Sequence, residues 1–256
     1  MDAIQKKLNK LKLTGMAETL EQRFEQAMQE KWSYSNLLEV LLSDEIERRN
    51  NRQLMTRLSK SRLNLQKTLE TFDFKFNTKI EASLIKELSS CDFLKKNQNI
   101  FILGPSGVGK SHLAQAFGHQ ACRYEHDVLF YCTYQLFEWI YAGRGDGSNK
   151  RRLTHVIKVP LLILDDFGLQ SLNEEQQSDL YELIAERYEK KSTIITSNRD
   201  FTEWPGIFAN PLIGTAALDR LVHRGIQLVI EGDSYRLAEF KKACVKMKKM
   251  SQITKT

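Results

Sequence analysis

Residues 104–111 read GPSGVGKS, and this octet decides the fold. It has the form G-x-x-x-x-G-K-[ST], a loop built to wrap phosphate. Gly104, Gly107 and Gly109 let the backbone turn tightly, so that successive N–H groups of the loop point at anionic oxygens, with Pro105, Ser106 and Val108 completing the candidate cradle. Lys110 brings an ammonium to the β- and γ-phosphates, and the Ser111 hydroxyl suits Mg²⁺. A helix begins here, with His112 in its first turn, and its positive end adds to the anion site. The flanks agree. Ile100-Phe101-Ile102-Leu103 is a short apolar run of the kind found in buried strands, while Leu113, Ala114, Ala116, Phe117 and Ala121 recur at helical spacing.

Working outward, short apolar runs at 99–103, 127–132, 161–165, 192–196 and 226–230 alternate with helical stretches. Such a pattern predicts an α/β fold, a parallel sheet covered by helices on both faces. Residues 1–76 instead read as a small all-helical domain, with the nucleotide-binding domain over 77–256. Within the first, Leu13, Met16, Leu20, Phe24 and Met28 form one stripe, with Gly15 a candidate break. Ser33 or Ser35 can cap a second helix that buries Leu37, Leu38, Leu41, Leu42 and Ile46. A third stretch carries Leu54, Leu58, Leu65 and Leu69. The aromatic run Phe72-Asp73-Phe74-Lys75-Phe76 breaks the period and is expected at the domain junction, against the nucleotide site.

The strand 161–165 ends in a carboxylate pair. Asp165 is placed to bind Mg²⁺ and Asp166 to orient and deprotonate an attacking water. The strand through Thr196 ends at Asn198, an uncharged amide suited to hold that water against a γ-phosphate. Asp219-Arg220-Leu221-Val222-His223-Arg224 precedes the last strand. An arginine reaching a neighbouring subunit's γ-phosphate is worth roughly 10³–10⁵ in rate; Arg220 is the first candidate and Arg224 the second. Arg236, beyond the last strand, is a candidate phosphate contact within its own subunit.

With these motifs in order, the chain resembles the AAA+ ATPases of the initiator and helicase-loader branch, and within it the IstB-type transposition helper ATPases. The resemblance spans nearly the whole chain. It rests on LKLTGMAETLEQRFEQA, NIFILGPSGVGKSHLAQA, LLILDDFG, RYEKKSTIITSNRDFTEW (187–204) and ALDRLVHRGIQLVIEGDSYRL (217–237). It implies ATP and Mg²⁺ as cofactors, with Lys110 and Ser111 binding them, Asp165 and Asp166 as the acid pair, Asn198 as sensor and Arg220 as finger. It further implies an ATP- and DNA-dependent homo-oligomer on duplex DNA that deforms the DNA and recruits a cognate transposase, with hydrolysis resetting the complex. Two departures stand out. Asp166 occupies a position where many AAA+ proteins carry Glu, and too few residues follow the last strand for a full C-terminal lid. Alternatives are a DnaC-like replicative helicase loader, or an ATP-dependent DNA-binding switch without hydrolysis. A small-molecule kinase fits the paired acids, sensor and trailing arginines poorly.

Composition is that of a globular chain: 41% hydrophobic and 27% charged over 256 residues. No apolar run approaches the ~20 residues of a membrane helix. The N-terminus lacks a signal-peptide core, so a cytoplasmic protein is expected. Cys91, Cys122, Cys132 and Cys244 contain no C-x-x-C pair, and no zinc site is expected. A net charge of +6 suits an anionic polymer. The acid-free stretch 48–67, with Arg48, Arg49, Arg52, Arg57, Lys60, Arg62 and Lys67, is the first candidate DNA face. Arg144, Lys150, Arg151 and Arg152, on a segment of loop composition expected to be mobile, are the second. The C-terminal run Lys241, Lys242, Lys246, Lys248 and Lys249 is a third. Backbone contacts of this kind predict weak sequence preference and strong salt dependence.

Overall fold

A computed structural model of the chain describes residues 2–76, 80–208 and 210–241. By contacts the chain divides into two compact units, Met1–Arg57 and Leu58–Thr256. The division falls ahead of the junction expected at residue 76, because residues 58–76 pack within the second unit.

The first unit contains α1 (Asp2–Lys10), α2 (Thr14–Glu30) and most of α3 (Tyr34–Ser61). Its core is small: Leu8, Met16, Ala17, Leu20 and Leu41, flanked by Leu13, Phe24 and Leu37. Gly15 does not break a helix; it lies in the first turn of α2. A Cβ there would sit 2.7 Å from the Glu45 Cα and 2.8 Å from the Asp44 carbonyl oxygen, so the two helices cross at that point. The Glu45 carboxylate accepts from the Gly15 amide at 2.6 Å and the Met16 amide at 3.3 Å, serving the free donors of the α2 N-terminus from across the crossing. Burial raises the Glu45 carboxyl, but Arg49 and the two amides outweigh that and hold it below the usual range.

Ser33 does cap α3, its hydroxyl accepting from the Asn36 amide. The helix then runs to Ser61 where two were expected, since no Gly or Pro interrupts 34–61. Of its apolar face only Leu41 is buried. Leu38, Leu42 and Ile46, expected inside, are exposed, because the α1–α2 hairpin covers only the row through Leu37, Leu41 and Glu45.

The second unit opens with α4 (Ala82–Ser89) and α5 (Asp92–Lys95). The alternation follows: β1 (Ile100–Leu103), α6 (Lys110–Arg123), β2 (Val128–Cys132), α7 (Thr133–Ala142), α8 (Asn149–Lys158), β3 (Leu161–Asp165), α9 (Glu174–Arg187), β4 (Ser192–Ser197), a 3₁₀ helix (Phe201–Ile207), α10 (Pro211–Val222) and β5 (Ile226–Val229). The five strands are parallel in the order β2-β3-β4-β1-β5. All five were legible as apolar runs. The order sets the site: β4 lies between β1 and β3, so the strand ends carrying Asn198, the phosphate loop and the acid pair are neighbours. Register reinforces this, with Leu103 opposite Ser197 and Leu164 opposite Ile195. The side of α6 facing the sheet is fully buried, with Leu113, Ala114, Ala116, Phe117 and Ala121 at 0% exposure.

Candidate functional site

Gly104, Gly107 and Gly109 have φ of +146°, +85° and +102°, the left-handed region that favours glycine. At Gly104 a Cβ would meet the Ile230 carbonyl oxygen at 2.1 Å, so the loop turns directly over the end of β5. The Gly104 amide donates to the Ser197 carbonyl at 3.3 Å, tying the loop to β4. Val108 is buried beneath the loop, while Pro105 and Ser106 are exposed. Lys110 is the first residue of α6, and its ammonium donates to Asn198 Oδ1 at 2.5 Å and to the Pro105 carbonyl at 2.8 Å. Burial pulls its pKa down, against the pull of Asp166 and Asp165 upward.

Asp165 is buried at the end of β3. Its Oδ1 accepts from the Thr196 hydroxyl at 2.5 Å, and its carbonyl accepts from the Thr133 hydroxyl at 2.9 Å. The same Thr196 oxygen accepts from the Asp166 amide at 3.0 Å. One hydroxyl on the neighbouring strand therefore positions both acids. Asp166 has φ +54°, a left-handed turn that Asp tolerates, and it lines the cavity where Asp165 does not. Burial, then the charge of Asp165, pushes the Asp166 carboxyl above the usual range, with Lys110 and Arg236 opposing.

These groups face a cavity of about 330 Å³, within the range of small-molecule sites. One wall is the phosphate loop with Ser111 and His112; another carries Asp166 and Asn198. The third comes from residues 67–76 and from Tyr235 and Arg236. The aromatic run does pack against the site. Phe72 sits so close to Gly109 that a Cβ there would lie 2.7 Å from its ring. It meets His112 edge-on at 5.2 Å, and Phe76 meets Tyr235 edge-on at 5.0 Å. A polar row on α6 fastens this segment. His112 Nε2 lies 2.9 Å from the Thr68 carbonyl, Gln115 Oε1 accepts from the Asn64 amide at 2.9 Å, His119 Nε2 lies 3.0 Å from the Asn64 carbonyl, and Arg123 pairs with Glu70 at 2.7 Å. Thr71 and Tyr235 are lining residues that sequence reading did not single out; Asp73 lies in the run expected here, and Lys67 was expected on DNA instead. The row at 112, 115, 119 and 123, a polar stripe on an otherwise buried helix, was the signal for the segment 64–71; it does not touch Tyr235.

Arg236 reaches the same cavity, its Nη2 donating to the Ser106 hydroxyl at 3.1 Å. Arg220 and Arg224 do not line it. Arg220 sits on the last turn of α10 against Tyr181, and Arg224 is exposed with Glu189 at 4.0 Å. The basic stretches are partly engaged. Arg48 pairs with Glu18, Arg49 with Glu45, and Arg62 lies over the Tyr131 ring at 4.4 Å. Over 144–152 the chain forms a hydrogen-bonded turn that runs into the first turn of α8. The Asp146 carboxylate caps Ser148 and pairs with Arg152, Arg144 pairs with Asp179, and Lys150, Arg151 and Arg152 begin α8. Lys242, Lys246, Lys248, Lys249 and Cys244 lie outside the described residues, as does most of the chain in which a lid would be sought. Among the described residues no helix is long and apolar enough to cross a membrane.

Comparison with known proteins agrees with this geometry. The model of the IstB-like ATP binding protein family matches residues 6–243. The insertion sequence IS21 putative ATP-binding protein of Pseudomonas aeruginosa is 37% identical over 96% of this chain and 93% of its own length. The insertion sequence IS5376 putative ATP-binding protein of Geobacillus stearothermophilus is 35% identical over 90% and 92%. Among solved structures, a DNA replication initiation factor is 25% identical with a TM-score of 0.58, over 75% of this chain and 57% of that one. The replication initiator DnaA bound to AMPPCP and single-stranded DNA is 25% identical with a TM-score of 0.56, over 73% and 56%. This chain thus spans little more than half the length of those two solved chains.

Proposed function

The chain belongs to the IstB-like ATP binding protein family, and from that premise we propose that it is an ATP-hydrolysing transposition helper. In this reading it oligomerises on duplex target DNA, deforms it and recruits or stimulates a cognate transposase, and hydrolysis resets the complex. The observation that carries the reading is one cavity in which the phosphate loop, Asp166 and Asn198 converge, with Lys110 in contact with Asn198.

The residues suit ATP and Mg²⁺. Glycines in left-handed conformations open the loop's amides to phosphate, and Ser111 and the acid pair offer the hard oxygens that Mg²⁺ takes. ATP would bring the reactive anhydride, and Mg²⁺, held by Ser111 and, through water, by Asp165 behind the cavity wall, would neutralise phosphate charge. The chain's own work is then distinct. Lys110 and Asn198 meet at one point, supplying a cation and an uncharged amide where phosphate charge must be held. Asp166, with its carboxyl raised by burial, is the better proton acceptor for it. Phe72, Phe76 and Tyr235 give the cavity an aromatic side suited to a base. Arg220, absent from its own cavity wall, serves a neighbouring subunit; Arg236 serves its own.

For DNA, the side chains of Arg52, Lys60, Lys150 and Arg151 are exposed and have no ion-pair partner among the described residues. These are the cations we assign to phosphate contact.

The test is steady-state ATP hydrolysis with no DNA, single-stranded DNA and duplex DNA, with Lys110→Ala as the blank. Stimulation by duplex is the expected result. Stimulation by single strands alone puts the helicase-loader reading ahead, and no turnover under any condition leaves a binding switch.

A further inference from the structure

The grip that α9 exerts on the end of α10 has a use that the nucleotide cavity does not explain. Tyr181 on α9 and Tyr188, the residue that caps its C-terminus, are seven residues apart, about two helical turns, and both meet the end of α10. Tyr181 Oη accepts from Arg220 Nη1 at 2.8 Å, and the guanidinium carbon lies 5.2 Å from the centre of the Tyr181 ring. Two turns on, the Tyr188 hydroxyl is 3.0 Å from His223 Nδ1. The His223 amide closes α10 on the Asp219 carbonyl at 3.1 Å. Ala217 and Leu221, both buried, set the roll of α10 so that Arg220 meets Tyr181.

We propose that Tyr181 is the positioning residue for Arg220: its hydroxyl and ring hold the guanidinium in one direction, ready for the γ-phosphate of a neighbouring subunit. This rests on the reading of Arg220 as a finger acting between subunits. An arginine side chain left to itself samples many rotamers, and a charged group helps a transition state only when it is already in place. The guanidinium has five donors, and engaging one on a neutral phenol leaves the others for an anion. A carboxylate in that position would have neutralised the charge instead. Asp219, next to Arg220 on α10, adds only a weaker attraction than Tyr181, and Glu189, just past the end of α9, lies instead beside His223 and Arg224, at 3.8 and 4.0 Å.

The experiment uses the full chain with duplex DNA and measures kcat and KM for ATP in Tyr181→Ala and Tyr181→Phe, alone and in mixtures. Misplacement by about 1 Å can cost ~10² in rate, so Tyr181→Ala is expected to lose about 10–100-fold in kcat with KM within about twofold. Tyr181→Phe keeps the ring and the packing and should fall between. In mixtures, Tyr181→Ala should be partly rescued by Asp166→Asn subunits, which donate an intact finger. It should not be rescued by Arg220→Ala subunits, which lack one. Wild-type kcat in both variants, a raised KM with unchanged kcat, or rescue by Arg220→Ala overturns the proposal. If Arg220→Ala and Asp166→Asn fail to rescue each other at any ratio, the finger reading itself has failed and Tyr181 loses its role with it.

Discussion

Thr196→Val tests the arrangement of the acid pair most directly. The side chain is fully buried, and Val matches its shape, so the change removes a hydroxyl and little else. That hydroxyl donates to Asp165 at 2.5 Å and accepts from the Asp166 amide at 3.0 Å. A hydrogen bond to a charged group is worth about 1.5–3 kcal/mol, and a buried amide left without a partner costs about 1–3 kcal/mol. The added methyl recovers part of this, leaving a net loss of roughly 2–4 kcal/mol. For a unit of this size each kcal/mol moves Tm by about 2–4 °C, so a fall of roughly 5–15 °C is expected. Turnover should fall with it, because both acids lose their common anchor. The assay is thermal unfolding by circular dichroism alongside ATP turnover, with Thr196→Ser as the control that restores the hydroxyl. A Thr196→Val protein that melts within about 1 °C of wild type, or a Thr196→Ser protein that is equally impaired, refutes the reasoning.

Other expectations follow from the same geometry. Asp166 holds its proton more tightly folded than unfolded, so the stability it contributes at low pH is lost as pH rises from the ordinary aspartate range through the raised folded value. Asp166→Asn should therefore melt higher than wild type at neutral pH, with the gap closing as pH falls toward ~4; a gap constant with pH contradicts the shift. In turnover, the acid limb attributed to Asp166 should lie above the ordinary aspartate range. Phe72→Ala removes an aromatic wall and should weaken ATP binding about 5- to 100-fold by calorimetry, taking base stacking at ~1–3 kcal/mol; unchanged affinity removes Phe72 from the site. Gly15→Ala puts a Cβ into the backbone of Asp44 and Glu45 and should cost about 1–3 kcal/mol in the first unit. Faster amide exchange confined to residues 2–57 is the signature; wild-type exchange there refutes the close crossing.

The sheet was legible because its strands are short apolar runs between turn residues; burial on both faces requires that composition in β1, β3 and β4, while the edge strand β5 is mostly exposed. The phosphate loop was legible because its chemistry is local: three glycines, a lysine and a serine act within one turn. The first unit was less so. Leu38, Leu42 and Ile46 have helical spacing, but spacing does not say how wide a strip a neighbour covers. The basic run 48–67 looked like a row of open cations because two of its partners, Glu18 and the Tyr131 ring, are distant in sequence. The 144–152 segment has loop composition, yet Asp146 caps one turn and Arg152 anchors the next.

The sequence alone determined that the chain carries a phosphate loop on a parallel α/β sheet with an acid pair and a polar strand end to follow. Those signals are contiguous and need no partner from elsewhere. The tertiary structure decided which strands are neighbours, and so that Thr196 serves Asp165 and Asp166 together. It decided that the aromatic run and Tyr235 close the cavity, and that Arg220 leans on Tyr181. Each of these joins residues that meet only after the chain has crossed over the sheet, and no local period records such a meeting.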